Sequence, residues 1–438
     1  MAIVGAGPAG LIAATALARS DPRKAGRIVL FDSGPDVSTR RALFASRSEP
    51  RARHVISGCG GAGLYSDGKL SIANVGNDLP LSPVEFDACL GEVITLLAEY
   101  LPEKALEPEL VTPPHLDRFE RLGLRLRVTP TIHLGTDGAF SLTQRLEDML
   151  RAQGVGLRFN ETVHSISLLE DGNFVLTTDV GTYNVRVLVL ATGKAGAAFM
   201  AREMEKLGVR RVINKLSLGL RVETRAENLR GLLRFGLNPK IYREETASGV
   251  IATKTFCICH GGILQPYLWN GIPLVGGHSL SGRAGRLSNL AVLSEIRADA
   301  FPGLMEHLAA QHSSKPLVES LAGFLAASEE PLAGVETSLP DWLPFPVHAI
   351  YPESIYTTLK RFLADLPALD DRIRLDGALV AAFALEEVSP KVVADENMET
   401  GIRNLIVVGD GSGMTEGIIP AMISGLIGAR TLIRKLGS

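Results

Sequence analysis

Ala2-Ile3-Val4-Gly5-Ala6-Gly7-Pro8-Ala9-Gly10, continued by Arg27-Ile-Val-Leu-Phe31-Asp32, is the stretch that decides the fold. Ala2-Ile3-Val4 reads as the tail of a buried strand, Gly5 to Gly10 as a turn, and residues 11–18 as a small-residue helix. Residues 27–31 form a second apolar strand that ends at Asp32. Strand, glycine turn, helix and strand within about thirty residues make a nucleotide-binding unit. In this spacing the first glycine permits the tight turn and the second lets the backbone approach a pyrophosphate. The third lets the helix pack closely on the strand. The helix start then presents free N–H groups and its positive dipole end to the phosphates. Asp32 is placed to accept hydrogen bonds from a ribose. Expected nucleotide contacts are therefore Gly5, Ala6, Gly7, Pro8, Ala9, Gly10, Asp32 and Ser33.

The rest of the chain bounds that reading. With 438 residues it exceeds the size at which one core keeps growing, so two intertwined domains are expected. Forty-five glycines suit a protein of tight turns and close backbone–ligand approaches rather than a helical bundle. A net charge of −3 carries no nucleic-acid footprint. Four cysteines, Cys59, Cys89, Cys257 and Cys259, are too few for a secreted disulfide framework at this length and fit a reducing cytoplasm. Residues 2–18 imitate the apolar core of a signal peptide, but the nucleotide turn explains their glycines better. Residues 417–433 are interrupted by Pro420 and Arg430 and do not read as a membrane span. The expectation is a soluble cytoplasmic protein with a small-molecule partner, neither nucleic acid nor membrane, and an open oligomeric state.

Further along, residues 57–70 form a glycine-dense shaped loop. Phe86, Leu90, Val93 and Leu97 have helical spacing within 82–100. Residues 131–137 read as a loop and 140–153 as an amphipathic helix closed by Gly154. Residues 156–159, 162–166, 173–178 and 183–190 read as successive strands, a β-meander feeding a buried strand. The stretch 209–367 is mixed, with several strands and two helices, and reads as a substrate-side domain. Strands return at 377–383 and 405–408, before a glycine loop and a final helix.

Two more pieces join the opening fingerprint: Leu188-Val-Leu-Ala191-Thr192-Gly193, and Asn404-Leu-Ile-Val-Val-Gly409-Asp410-Gly-Ser-Gly413 with Gly417-Ile418-Ile419-Pro-Ala421. Together and in this order they resemble the two-dinucleotide-binding-domain flavoproteins. The resemblance implies FAD, with Ala191, Thr192 and Gly193 beside the nucleotide and Asp410, after Gly409, on the ribityl chain. The helix start at Gly417, Ile418, Ile419 and Ala421 would face the flavin's pyrimidine edge, where its dipole stabilises the reduced anion. Val163 of the meander is a further expected contact.

Gly58-Cys-Gly60-Gly61-Ala62-Gly63-Leu-Tyr-Ser66-Asp-Gly-Lys69-Leu70 resembles a signature of a widespread family of FAD-dependent dehydrogenases. His133-Leu-Gly-Thr-Asp137, Gly219-Leu-Arg-Val-Glu223, Thr255-Phe-Cys-Ile-Cys-His-Gly-Gly262 and Glu387-Val-Ser-Pro390 match it too. The chain departs at His260, where the family keeps proline, and at Gly409-Asp410-Gly411, where it has Gly-Glu-Gly. The resemblance implies cofactor contact by Gly60, Gly61, Ala62, Gly63 and Ser66. It leaves Lys69 either at the flavin's N1–C2=O edge or fixing its own turn with Asp67.

The fold implied is α/β: a Rossmann-like FAD-binding domain with an inserted β-meander, and a second, α+β substrate domain. Residues 1–80, 130–205 and 370–438 form the first, discontinuous domain, and 81–129 with 206–369 the second. Cys257, Cys259 and His260 are, with Lys69, the candidate catalytic residues. The cysteines share one strand face and read as packing, as an active-site wall, or as a redox or metal pair. Two thiols and one imidazole fall short of a zinc set, so no metal is expected. His133, His278 and His348 are candidate acid–base groups; Tyr267, Trp269, Arg283, Ser389 and Lys391 are candidate linings. Neither Gly193-Lys-Ala-Gly196 nor Gly276-Gly-His-Ser-Leu-Ser-Gly282 has the context of a second nucleotide unit. The function expected is an FAD-dependent dehydrogenase or oxidase that passes hydride from a small organic substrate to flavin N5. The alternatives are a reductase or monooxygenase with NAD(P)H as transient reductant, and a non-enzymatic binding protein of the same fold.

Overall fold

A computed structural model describes the chain except residues 47–52, 75–76, 213–214, 311–314, 329, 331, 333–334, 387–388 and 438. Glu387 and Val388 of the quoted Glu387–Pro390 motif therefore lie outside the described residues.

The opening segment builds the centre of a five-stranded parallel sheet. Its order is Leu405–Val407, Leu188–Leu190, Ala2–Val4, Val29–Asp32 and Gly156–Phe159. Every residue of Ala2–Val4, Leu188–Leu190 and Leu405–Val407 is buried, as parallel strands covered on both faces require. Helices Pro8–Ser20 and Ile418–Gly437 pack against each other; Pro83–Ala98 packs on the latter and Gly135–Ala152 on the former. From Ala2–Val4 the chain leaves to one side toward Val29–Asp32 and later returns on the other as Leu188–Leu190. That reversal opens a crevice beyond the carboxyl ends of the strands, where such sheets bind ligands.

Val163–Leu168, Phe174–Thr178 and Thr182–Val185 form the antiparallel meander. The single run read over 183–190 is two strands: Thr182–Val185 closes the meander, and Leu188–Leu190 enters the parallel sheet after a turn in direction. The segment read as a loop over 131–137 holds a short strand, Thr131–His133, paired with Lys69–Ser71, and a helix that already begins at Gly135. Three residues of pairing are too few to show a period.

Above the crevice lies an eight-stranded sheet that is antiparallel except at one edge. Its order is Leu343–Pro344, Leu317–Ser320, Leu379–Glu386, Lys215–Arg225, Leu287–Arg297, Val250–Cys259, Lys240–Glu244 and Arg125–Arg127. Helix Glu353–Asp365 covers it with a buried stripe of Ile355, Leu359, Phe362 and Leu363. Among the described residues of the middle region there are three α-helices, with Leu304–Ala309 and Leu321–Ala326, rather than the two expected. A hairpin, Ile263–Trp269 with Ile272–His278, turns on Asn270-Gly271, both at positive φ (49° and 81°) as a two-residue hairpin turn demands.

Two segments lie apart from the domain division expected from sequence. Helix Pro83–Ala98 belongs to the core of the parallel sheet, because Phe86, Cys89, Val93 and Leu97 pack toward helix Ile418–Gly437. Strand Leu379–Glu386 belongs to the large sheet, hydrogen-bonded to Lys215–Arg225 on one side and Leu317–Ser320 on the other. Among the described residues, no helix is long and apolar enough to cross a membrane.

Candidate functional site

The carboxyl ends of the parallel strands deliver Gly5, Asp32, Ala191 and Gly409 to one place. There they line a cavity of ≈ 740 Å³ whose opposite wall is the large sheet. Gly7, Pro8, Ala9, Ser33, Gly61, Ala62, Gly63, Ser66, Val163, Thr192, Gly193, Asp410, Gly417, Ile418, Ile419 and Ala421 line it too. Of the residues expected to touch a cofactor, Ala6, Gly10 and Gly60 stand behind the wall. The Ala6 N–H donates to Asp32 Oδ2 (2.8 Å) and the Gly60 N–H to the Ala6 carbonyl (2.8 Å).

Helix Pro8–Ser20 opens with Pro near its first position and Gly7 as N-cap, and no side chain caps its N–H groups. Those donors are left for a ligand. Asp32 is already largely engaged: Oδ1 accepts from the N–H groups of Gly34 (2.9 Å) and Gly58 (2.7 Å), and Oδ2 from Ala6. Its first role is to pin the 57–65 loop to the strand end. Arg40, fully buried, completes the pin. It donates five hydrogen bonds, to the carbonyls of His54, Val55, Gly58, Cys59 and Gly61. Sequence reasoning missed Arg40 because an arginine at 40, within 37–46, looks like a solvated helix residue.

At the other end of the cavity Asp410 accepts from Thr415 Oγ1 (2.7 Å). Burial pushes its carboxyl up to about 7, against the hydrogen bonds from Thr415 and Gly417. A carboxyl raised in the folded state stabilises it at acid pH, and that contribution is lost as pH rises from the unfolded value through about 7. Asp410→Asn should therefore raise the melting temperature of the ligand-free protein at pH ~8 and change it little at pH ~4. A difference between variant and parent that does not vary with pH would contradict this.

Asp67, wholly buried, pairs with Lys69 Nζ (2.6 Å) and His133 Nε2 (3.2 Å) and accepts from the Ser279 N–H (2.6 Å). Burial alone would raise its carboxyl, but Lys69 and His133 hold it well below the usual carboxylate range. Lys69 lines the cavity, yet its ammonium is tied to Asp67 and to the carbonyl of Ile258. Cys257 lines the cavity and Cys259 is buried behind it. His260 is not part of this wall. It lies against a second, smaller cavity with Glu109, Arg230 and Arg283, and burial pushes its imidazole down to about 3.

His278 is buried against Phe44, with its imidazole pushed down to about 4 by burial. His348 pairs with Glu319 (2.6 Å) and Lys391 with Asp78 (3.4 Å), both outside the main cavity. Ser389 is buried, and Arg283 pairs with Glu109 (2.8 Å). Tyr267 lines the cavity, and its hydroxyl accepts from Lys194 (3.1 Å). Trp269 donates to the Lys194 carbonyl (3.1 Å). Lys194, next to Gly193, also pairs with Glu386 (3.3 Å) and so ties the turn after Leu188–Leu190 to the large sheet.

On the sheet wall stand Lys240, which sequence missed, and Arg221, which it touched only within the Gly219–Glu223 motif. The Arg221 guanidinium bonds Asn289 and lies so close to Gly277 that a Cβ there would meet Nη1 at 2.2 Å. The Lys240 ammonium sits 3.9 Å from the Phe256 ring centre. Burial lowers its pKa, and Lys254 adds to this against the pull of Glu416. Strand alternation places such residues, but it does not tell which face borders a cavity.

Residues 3–55 match the model of the NAD(P)-binding Rossmann-like domain. An uncharacterised protein of Clostridium beijerinckii is 21% identical over 471 residues, covering 99% of this chain and 80% of its own. The glycine oxidase of Geobacillus kaustophilus is 14% identical, with 99% of this chain and 94% of that one aligned and a TM-score of 0.42. A geranylgeranyl bacteriochlorophyll reductase-like protein of Thermoplasma acidophilum is 12% identical over 100% of this chain and 78% of its own, with a TM-score of 0.43. The matched residues coincide with the strand, uncapped helix start and parallel second strand at the centre of the sheet, so residues 3–55 have the strand–helix–strand fold of the domain they resemble.

Proposed function

We propose that the chain is an FAD-dependent oxidoreductase, a dehydrogenase or oxidase acting on a small organic substrate. The observation that carries the reading is one continuous cavity that joins two helix starts. The turn at Gly5–Gly10 opens one, and Gly417-Ile418 the other. A mononucleotide would need only the first. The cradle suits a close-fitting ligand: a Cβ on Gly61 would stand 3.0 Å from Gly7 Cα, and one on Gly63 3.1 Å from Pro8 Cγ.

In this reading the helix start at Pro8 binds the pyrophosphate and Asp32 keeps one acceptor position for the ribose. Asp410 accepts from a ribityl hydroxyl, and the Ile418 helix start faces the pyrimidine edge. Bound FAD supplies two-electron chemistry by accepting hydride. Arg221, Lys240 and Tyr267 form the substrate side, where the large sheet excludes water.

The absorbance spectrum of the purified protein, followed by flavin addition and anaerobic trials with NADH and NADPH, tests the proposal. The expected result is a yellow protein, or a colourless one that takes up FAD stoichiometrically. A folded protein that binds no flavin overturns the reading. Rapid bleaching by NAD(P)H without substrate overturns the dehydrogenase assignment in favour of a reductase or monooxygenase.

A further inference from the structure

The sheet wall of the cavity carries a feature that nucleotide binding does not use. Strand Val250–Cys259 loses register with Leu287–Arg297 between Phe256 and Cys259, and Cys257 adopts φ = 44°. A bulge re-aims the side chains of the strand that carries it, and a left-handed conformation is unfavourable for any residue with a Cβ. At this bulge the two sulfurs converge, with Cys257 Sγ and Cys259 Sγ 3.8 Å apart. Cys257 faces the cavity, while Cys259 is fully buried behind it.

The surroundings are not those of packing thiols, which sit among apolar side chains. Arg221 Nη1 lies 3.8 Å from Cys259 Sγ and 3.2 Å from the Cys257 carbonyl. Asn289 holds that guanidinium from the far side. Lys69 reaches in from the 66–69 loop to the carbonyl of Ile258, between the two cysteines. Fixed cations and a donating neighbour favour a thiolate. The Cys257 thiol is held well below its ordinary value by the hydrogen bond from Cys259, which outweighs burial, and then by Arg221 and Lys69. Burial and the neighbouring charge push Cys259 up. One sulfur is thus exposed to the cavity as a nucleophile, and the other waits as a protonated thiol within reach. Among the described residues no group of three His, Cys, Asp or Glu side chains forms that could hold a metal.

We propose that Cys257 and Cys259 are a dithiol–disulfide couple that exchanges two electrons with the flavin of the same cavity. In the oxidising direction the Cys257 thiolate and the Cys259 thiol form one S–S bond. The Cys259 proton and both electrons go to the flavin, which becomes the reduced anion. In the other direction the reduced anion returns them and the S–S bond breaks. The electron partner rests on the flavin reading above; formation of the disulfide does not.

Two measurements test the couple. The native protein is treated with dithiobis-nitrobenzoate and its peptides are weighed. The expected result is release of two thionitrobenzoates per chain, a peptide spanning 257–259 lighter by two hydrogens, and no retained adduct. Cys259→Ser should release one and keep the adduct on Cys257. Two stable adducts, or a pair that reacts only after unfolding, overturns the proposal. The flavin-loaded, oxidised protein is then titrated anaerobically with dithionite. Four electrons per chain are expected for the parent and two for Cys257→Ser. Uptake of two by the parent overturns electron exchange, with or without a folded variant. A chain that forms the disulfide but binds no flavin refutes the flavin reading and, with it, the electron partner, while the thiol couple stands.

Discussion

Arg40→Met is expected to lower stability by about 3–5 kcal/mol, the scale for removing one partner from a buried charged network, and to abolish retention of a dinucleotide. The substitution keeps much of the side-chain volume but removes five donated hydrogen bonds; Gly58 keeps the one from the Gly61 N–H, while the carbonyls of His54, Val55, Cys59 and Gly61 must find other partners. Buried acceptors without partners are costly individually, at roughly 1–3 kcal/mol each. The loop they belong to carries Gly61, Ala62, Gly63 and Ser66 into the cavity, so the damage reaches the site directly. Asp32 also loses a neighbouring positive charge that offsets its burial. Arg40→Lys keeps the charge but cannot span five carbonyls, and should fall between parent and methionine variant. Urea unfolding and FAD titration check both; a methionine variant within about 1 kcal/mol of the parent would show that the loop holds itself.

Gly10→Ala is expected to weaken dinucleotide binding on the order of 100-fold, the scale on which ångström misplacements cost function. The position does not demand an unusual backbone angle, so the effect is steric. A Cβ on Gly10 would stand 1.9 Å from the Gly5 carbonyl oxygen and 3.4 Å from Ala191 Cβ. The obstructing atom is backbone in the tight turn and cannot rotate away. Helix Pro8–Ser20 must therefore move off the strand and carry its N–H groups away from the phosphates. Circular dichroism separates a displaced helix from a chain that fails to fold. Unchanged FAD affinity in a normally folded Gly10→Ala protein would show that the helix start does not position the ligand.

The same contact shows why so much was legible in sequence. Gly5, Gly7 and Gly10 are spaced by the geometry of a turn that brings a helix start against a strand end, and that geometry survives in a string of letters. Asp32 and Ala191-Thr192-Gly193 were legible for the same reason, as the first residues after apolar runs. Asp32 nonetheless turned out to serve backbone N–H groups before any ribose. Arg40 was not legible, since its partners arrive from residues 54–61 only after the loop folds over it. His260 drew attention by adjacency to two cysteines. It lies in the turn just beyond strand Val250–Cys259, where the chain has left the sheet wall and places the imidazole against the smaller cavity. Strand Leu379–Glu386 was assigned by its place in sequence, whereas its buried apolar run on both faces fitted the centre of the larger sheet equally well.

The parallel sheet has a consequence in time as well as in space. Its middle strand, Ala2–Val4, is made first, yet it pairs with Leu188–Leu190, which is itself completed by Leu405–Val407. Ala9 then receives Gly425 of the final helix in a contact so close that a Cβ there would meet the Ala9 carbonyl at 2.2 Å. Pairings this distant in sequence form slowly and leave unpaired strand edges exposed while the ribosome works. The nascent chain thus emerges with its fingerprint already made but no pocket around it. A dinucleotide that binds only the completed cavity would, by mass action, help seat helix Ile418–Gly437.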